Sequence, residues 1–580
     1  MTITLRGLPA APGIGLGTIF VYQTTELDME GLPPPAGRRP SDPDWEWARF
    51  LEAQAAVDAE LMQLSESLDS VAEDIFSIHR LILQDKTLTE NVRHAIHNGQ
   101  ADAVIATKQV IKDMAKVFHA LDDDYFASRA ADILDIGRRL LTQLGAAPPQ
   151  TQLAQLPPHA ILIAEDLTPS DVTQLPAQIA GIGLAFSAPT AHSSILARSL
   201  GLPLVCGIGE ELMEVEVGRP AIIDGHQGRI LIDPTEEDLK HYSDARRRRL
   251  QRQAFAAAHA HETAITRDGI HIPVYANANT EEDVYARRGQ GADGIGLLRT
   301  EYLFQERSAP PGVESQTALY RRLAADMDNQ PLTIRALDVG GDKFMAYASP
   351  QIEANPFLGQ RGSRFLLARP DLLRDQFRAI LRTARGLPAS AVIRFMLPMI
   401  STVKELEDVR RLLTEVQIDE NKRANGEATG ATIAIGVLVE VPAAALLAER
   451  LARWVDFFSV GTNDLAQYTL ASDRTNSAVA ALADPLHPAV LQLIARTAYA
   501  AKVFDIPISL CGEMAGDVSA IPLLLGLGVT ELSAPLPTVP RVKQTIRECD
   551  MIQCRQLAES ALRCNDADDV RALLAIGVAR

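Results

Sequence analysis

The chain has little cysteine, and none of it is paired. Cys206, Cys511, Cys549, Cys554 and Cys564 are odd in number and share no regular spacing. That excludes a disulfide framework or a paired-cysteine zinc site and fits reduced thiols in a cytoplasm. Positive charge is short as well: 56 Lys and Arg stand against 74 Asp and Glu, a net charge of −18. This balance disfavours nucleic acid and anionic membrane and favours a basic protein partner. No apolar run reaches membrane-spanning length, since Glu440 interrupts the longest. Met1 to Gly17 lacks a basic end followed by an apolar segment, so no secretory leader is expected. A Walker A loop and a strand-following GxGxxG are also missing, which points to a phosphoryl donor other than ATP.

What is present is a chain of 580 residues, 47% hydrophobic, long enough for several cores. Residues 1–25 read as strand, with Gly13, Gly15 and Gly17 forming a glycine-rich strand turn. A proline-rich stretch from Pro33 to Pro43 separates a helical texture running from Asp44 to Leu144. There, residues such as Leu81, Ile82, Ile133, Ile136, Leu140 and Leu141 recur at helical spacing, and Asp122-Asp123-Asp124 reads as solvated surface. Strands return at Ala160–Ile163, Gly181–Ala185, Leu204–Cys206 and Ala221–Asp224. The helical region therefore interrupts an α/β domain. Thr235 to about Glu262 has no breaker and reads as a long helix and linker. Eight short strands then alternate with helices: Ile272–Tyr275, Gly294–Leu298, Leu332–Leu337, Val392–Leu397, Ile433–Val439, Phe457–Val460, Ile508–Leu510 and Val529–Leu532. Eight such units suit a TIM barrel, with an open doubly wound sheet as the alternative.

Two constellations carry chemistry. Pro189 to Gly201 reads as a short helix with Thr190 as N-cap, Gly201 as stop and His192 in the first turn. A helix N-terminus suits an anion, so His192 is placed to hold a phosphoryl group. The second constellation lies at the strand ends of the C-terminal half. Arg299, Arg335, Arg361 and Arg474 suit a small, multiply charged anion, because guanidinium binds carboxylate and phosphate with two prongs. Glu440 and Asp464 at adjacent strand ends are hard oxygen donors for Mg²⁺. Cys511 ends another strand beside them, and Asn463 precedes Asp464. Phosphoenolpyruvate, with its carboxylate and phosphate on three carbons, fits such a site.

Several segments carry a family resemblance. They are Thr190 to Arg198, Gly296-Leu297-Leu298-Arg299-Thr300-Glu301, Asp338-Val339-Gly340-Gly341-Asp342-Lys343, Asp456 to Leu465, and Cys511-Gly512-Glu513. Together these motifs resemble the enzyme I family of the phosphoenolpyruvate-dependent sugar phosphotransferase system, over essentially the whole chain. The resemblance implies that His192 is phosphorylated on Nε2 and that Arg299, Arg335, Arg361, Asn463, Asp464 and Arg474 form the phosphoenolpyruvate site. It implies Glu440 and Asp464 as Mg²⁺ ligands and Cys511 as the acid that protonates the enolpyruvate carbon. It implies a phosphohistidine α/β domain at 1–25 and 148–233, a helical HPr-binding subdomain at 26–147, a linker helix at 234–262, and a barrel at 263–580. The barrel would bind phosphoenolpyruvate and pair two copies. The segment around His79, Leu81 and Ile82 matches the docking face for HPr, a small phosphocarrier protein. The sequence departs from the family at Ser187-Ala188, Ala191, Gln360 and Ala534-Pro535. A regulatory-branch paralogue and a phosphoenolpyruvate-utilising dikinase relative are the alternative readings. The second would need an ATP-binding domain, for which the chain offers neither length nor phosphate loop.

Overall fold

The computed structural model describes residues 2–22, 42–67, 76, 79–99, 101–119, 124–146, 151–189, 191–304, 307, 309–340, 353, 355–423, 430–474, 476 and 479–578. Thr190, Asp122, Asp123, Gly341, Asp342, Lys343 and the proline-rich stretch through 41 lie outside these residues. The chain forms two compact units, one spanning Met1–Leu250 and one made chiefly of Gln251–Arg474 and Val479–Arg580.

The first unit is built on eight strands: β1 (Ile3–Arg6), β2 (Leu8–Ala11), β3 (Ile14–Tyr22), β4 (Ala160–Ala164), β5 (Gly181–Leu184), β6 (Leu204–Cys206), β7 (Pro220–Asp224) and β8 (Arg229–Ile232). They pair in the order β1-β8-β7-β3-β4-β5-β6-β2. β3 to β6 run parallel to one another, and the remaining pairings are antiparallel. Successive side chains of a strand face opposite ways, so β4 serves two cores. Ile161 and Ile163 pack with Ile19, Ile223 and Ile230. Ala160 and Leu162 pack with the helical region. That region consists of α1 (Pro43–Ser67), α2 (Lys86–His97), α3 (Ala103–His119) and α4 (Asp124–Gln143). Its buried stripe includes Val57, Leu61, Leu88, Val92, Ile96, Ile136 and Leu140. The insertion is therefore fused to the sheet through shared apolar packing.

Gly15 and Gly17 are not a turn, as the sequence pattern had suggested; both lie inside β3. A Cβ on Gly15 would meet the Ala180 carbonyl oxygen at 2.0 Å, and one on Gly17 the His159 carbonyl oxygen at 1.8 Å. These glycines are needed because neighbouring backbone approaches where a side chain would stand.

After β8 comes a helix, Glu236–Ala258, inside the breaker-free stretch. The second unit then closes eight parallel strands into a barrel: β9 (Val274–Ala278), β10 (Ile295–Leu298), β11 (Leu332–Arg335), β12 (Val392–Leu397), β13 (Thr432–Val439), β14 (Phe457–Val460), β15 (Ile508–Leu510) and β16 (Glu531–Pro535). The barrel alternative therefore holds over the open sheet. The third strand ends at Arg335 rather than Leu337, the other expected strands match closely, and the first and last sit two to three residues further along the chain. These last two are short and bounded by residues that suit either strand or loop. Amphipathic helices cover the barrel; Pro370–Arg385 buries Leu373, Phe377, Ile380 and Ala384 on one face. Among the described residues no helix is long and apolar enough to cross a membrane.

Because backbone crowds Gly17, Gly17→Ala is expected to destabilise the first unit by about 1–3 kcal/mol, the cost of overpacking a tight site. Urea unfolding followed by circular dichroism checks this, and an unchanged midpoint would refute the crowding argument.

Candidate active site

One centre lies in the first unit. His192 opens the helix His192–Ser199, here α6. The N-cap position is Ala191, which makes no side-chain cap bond, so the expected Thr190 cap is replaced by a residue with no oxygen to offer. Gly201, with φ +70°, ends the helix as expected. His192 is partly exposed, and its Nδ1 lies 3.1 Å from Asp132 Oδ1, on α4 of the insertion. Asp132 is buried, and burial would raise its carboxyl. Hydrogen bonds from His192 and His79 outweigh that and hold it well below the usual carboxylate range. An ionised carboxylate only accepts, so His192 keeps its proton on Nδ1 and presents the Nε2 lone pair.

His79 corrects the sequence reading. It does not face a partner but is fully buried at 0% exposure, whereas Leu81 is 70% exposed. Its Nε2 lies 3.1 Å from the same Asp132 Oδ1 that His192 contacts. Sequence spacing could not place Asp132 here, because the contact spans 60 residues. The available signal was two acids, Asp132 and Asp135, sharing one face of α4 at helical spacing.

The other centre lies at the C-terminal ends of the barrel strands. Arg335 ends β11, donates from Nη2 to Glu301 Oε1 at 2.8 Å, and stands 3.4 Å from Asp338 Oδ2. Arg361 is bonded along both edges. Its Nε and Nη2 reach Asp338 at 3.2 and 3.1 Å, and its Nη1 and Nη2 reach Asp464 at 3.1 Å each. Arg474 lies 3.9 Å from Asp464. Arg299 Nη1 donates to Asn279 Oδ1 at 3.1 Å. Asn463 is held by Glu513: its Nδ2 donates to the carboxylate at 3.3 Å, and the Glu513 N–H donates back at 3.2 Å.

Glu440 is buried after β13 and accepts the Met399 N–H at 2.7 Å. Met399 has φ +58°, a left-handed backbone that a side chain rarely adopts, here turning its N–H to the carboxylate. Burial, then the neighbouring charges of Asp464 and Asp338, push the Glu440 carboxyl up to about 8 against the pull of Arg361 and Arg335. A carboxylate set so high calls for further positive charge beside it, and hard oxygens suit Mg²⁺. Among the described residues no group of three or more His, Cys, Asp and Glu is arranged to hold a metal ion. A pair of carboxylates matches the one or two that Mg²⁺ usually takes from a protein.

Cys511 is buried just after β15, and Ser459 Oγ donates to its Sγ at 3.2 Å. Burial pushes the thiol above its ordinary range, although the Ser459 bond and the charges of Arg335 and Arg299 pull the other way. The thiol is thus held protonated, a point the sequence left open. The expected barrel residues converge in one place, while His192 belongs to the other unit. Asp338, Glu301, Ser459, the Met399 N–H and Tyr468, whose hydroxyl accepts from Arg361 Nη1 at 3.2 Å, are neighbours of the site to which sequence reasoning gave no role.

Three family models match the chain: PEP-utilising enzyme, N-terminal, over residues 6–129; the mobile domain of such enzymes over 156–228; and their PEP-binding domain over 253–551. A multiphosphoryl transfer protein of Rhodobacter capsulatus is 38% identical across 98% of this chain and 67% of its own length. A phosphoenolpyruvate-protein phosphotransferase of Bacillus sp. (strain S) is 36% identical across 98% of this chain and 97% of its own. A protein of the same description from Haloferax volcanii is 38% identical across 99% of both chains.

Removing one partner of a buried charge pair strands the others. Arg361→Ala is expected to cost about 3–5 kcal/mol in Mg²⁺-free buffer, because Asp338 and Asp464 lose their shared cation. Urea unfolding checks it; a loss under about 1 kcal/mol would mean the neighbouring arginines already satisfy both carboxylates.

Proposed function

This chain belongs to the phosphoenolpyruvate-utilising enzymes, and we infer that it moves a phosphoryl group from phosphoenolpyruvate to its own His192 and then to an HPr-type carrier. This is the first step of sugar uptake by the phosphotransferase system. The observation that carries the reading is the pairing of a histidine presenting Nε2 with a separate arginine-rich site at the barrel mouth suited to a small anion.

Phosphoenolpyruvate binds through Arg299, Arg335, Arg361, Arg474 and Asn463, whose donors match carboxylate and phosphate oxygens. Glu440 and Asp464 would hold Mg²⁺, which would supply positive charge at the substrate. Nε2 of His192 attacks phosphorus, and the bond from phosphorus to the enol oxygen breaks. The resulting enolate takes a proton on its methylene carbon from the Cys511 thiol, giving pyruvate. The proton stays on His192 Nδ1, directed at Asp132, whose negative charge stabilises the ring as it gains cationic character. The phosphoryl group next passes from Nε2 to a nucleophile of the carrier.

In domain terms, residues 1–25 and 148–233 carry the histidine, 26–147 dock the carrier and 263–580 hold the substrate. Histidine and substrate belong to different units, so the cycle requires a hinge motion that brings Nε2 to phosphorus. Exposed Leu81 with neighbouring Ile82 offers an apolar centre for docking, amid a chain of net charge −18 that suits a basic carrier. Asp85 caps α2 through the Thr87 N–H, so its own role there is structural. A second copy is expected against the barrel, where Leu446, Trp454, Tyr499 and Val503 leave apolar side chains exposed.

Incubation with phosphoenolpyruvate and Mg²⁺ is expected to add a single phosphoryl group by mass spectrometry. His192→Ala should abolish that addition while calorimetric binding of phosphoenolpyruvate stays within about twofold. A phosphorylated His192→Ala protein would sink the assignment.

Cys511→Ala is expected to keep substrate binding and much of the phosphoryl exchange, yet slow pyruvate formation by roughly 10²-fold or more, the usual scale for a lost general acid. Pyruvate release coupled to NADH oxidation measures it. Pyruvate formed at the parental rate would leave Cys511 a packed thiol.

A further inference from the structure

His79 is a buried imidazole that the reaction above does not use directly. Its Nε2 meets Asp132 Oδ1 at 3.1 Å, and its Nδ1 lies 3.6 Å from Asp135 Oδ2. Phe76 packs edge-on against the ring at 5.9 Å. The Nε2 bond to Asp132 and the Phe76 contact orient the ring, while Nδ1 stands near Asp135 without a hydrogen bond. The oxygen it contacts is also the one that receives His192 Nδ1. Two imidazoles from distant parts of the chain therefore converge on one carboxylate oxygen.

We propose that His79 is a positioning residue that sets the tautomer of His192 through Asp132. The kinetic part rests on His192 being the phosphoryl acceptor; the tautomer part does not. A carboxylate that accepts one N–H retains rotation about its Cβ–Cγ bond. A second N–H, from a ring locked in the core, removes that freedom. Oδ1 then stays directed at His192 Nδ1, and the proton stays on Nδ1. The nitrogen that must attack is Nε2, and it is nucleophilic only when the proton resides on the other one. In a partly exposed imidazole with a mobile partner, the proton would divide between both nitrogens, and part of the population would be unable to accept phosphate. Outer partners of this kind act on reactivity through orientation without touching the reacting atoms.

The test compares two polar substitutions that differ by one methylene. In His79→Gln the side-chain amide nitrogen takes the place of Nε2 and can still donate to Asp132. In His79→Asn it falls at the place of Nδ1 and cannot. The full-length protein is labelled with ¹⁵N-histidine, and His192 signals are assigned by their loss in His192→Gln. Single-turnover phosphorylation by phosphoenolpyruvate with Mg²⁺ is followed in parallel. His79→Asn should shift His192 away from the Nδ1–H tautomer and slow phosphorylation roughly tenfold, the lower end of the cost of losing an orienting partner. The phosphoenolpyruvate concentration for half-maximal rate should not change. His79→Gln should retain both the tautomer and the rate.

Unchanged tautomer in His79→Asn overturns the proposal whatever the rate does, because any slowing would then arise elsewhere. Equal shifts in both variants overturn it as well, since lost packing rather than a lost donor would explain them. Should His79→Asn fail to fold, His79→Gln decides alone: a shifted tautomer in it refutes the role, and a retained one supports it. If the parent protein takes no phosphate from phosphoenolpyruvate, the functional reading fails, while the tautomer comparison still decides this proposal.

Discussion

Arg361 joins two buried carboxylates, and much of the barrel mouth depends on that arrangement. Around it, charges alternate in sign: Glu301, Arg335, Asp338, Arg361, Asp464 and Arg474 each stand within 3.9 Å of the next. Each buried charge costs several kcal/mol of desolvation on its own, and alternation is what offsets it. Glu440 falls outside the row, and its burial, together with two of the row's acids beside it, makes its carboxyl rise rather than fall. The row is thus self-neutral, and the one carboxyl set against it defines where additional positive charge is accommodated. A cation site and an anion site arise from the same set of residues.

Such a cluster needs a rigid frame. The barrel supplies it, because the groups follow four of its strands, β10, β11, β13 and β14, and the strands pair continuously around a closed ring. At the rim, left-handed backbone at Met399 with φ +58° and at Gly362 with φ +57° turns the chain toward Glu440 and Asp338. The histidine centre is built on the opposite plan. It sits on the eight-residue helix α6, partly exposed, and its orientation comes from an insertion rather than from its own sheet. A site that must receive a group from one partner and deliver it to another has reason to be exposed; a site that must desolvate a dianion has reason to be buried.

The barrel was legible because its strands are short apolar runs separated by helices of clear periodicity, and their ends carry polar residues in clusters. The position of Glu440 after β13 follows directly from that pattern, whereas Arg335 closes β11 two residues before the expected end at Leu337. Boundaries at β9 and β16 slipped because neither end has a turn signal strong enough to fix it. The glycines of β3 misled, since a repeating Gly pattern marks a turn and a close backbone approach equally well. The Asp132 contact was beyond reach for a different reason. It depends on how α4 packs across the sheet, and no local rule relates residues so distant in sequence. His79 shows the same limit, for the helical pattern that exposes Leu81 also buries a residue two positions away.

The proposed proton transfer explains why a thiol serves where a carboxylic acid is the commoner choice. Beside so many arginines an ordinary carboxyl would ionise and have no proton to give. Glu440 escapes that through burial and two acidic neighbours, but the same position commits it to a cation. A thiol starts from a value near 8.5, about four units above a carboxylic acid, so it stays protonated at neutral pH with much less help. Burial of Cys511 adds to that margin, and the pull of Arg299 and Arg335 does not overcome it. Once the proton has left, the terms reverse in use. The Ser459 hydroxyl and the two arginines, which weaken the thiol's hold on its proton, become the groups that stabilise the thiolate. The environment therefore keeps the acid charged with its proton before reaction and eases its departure during it.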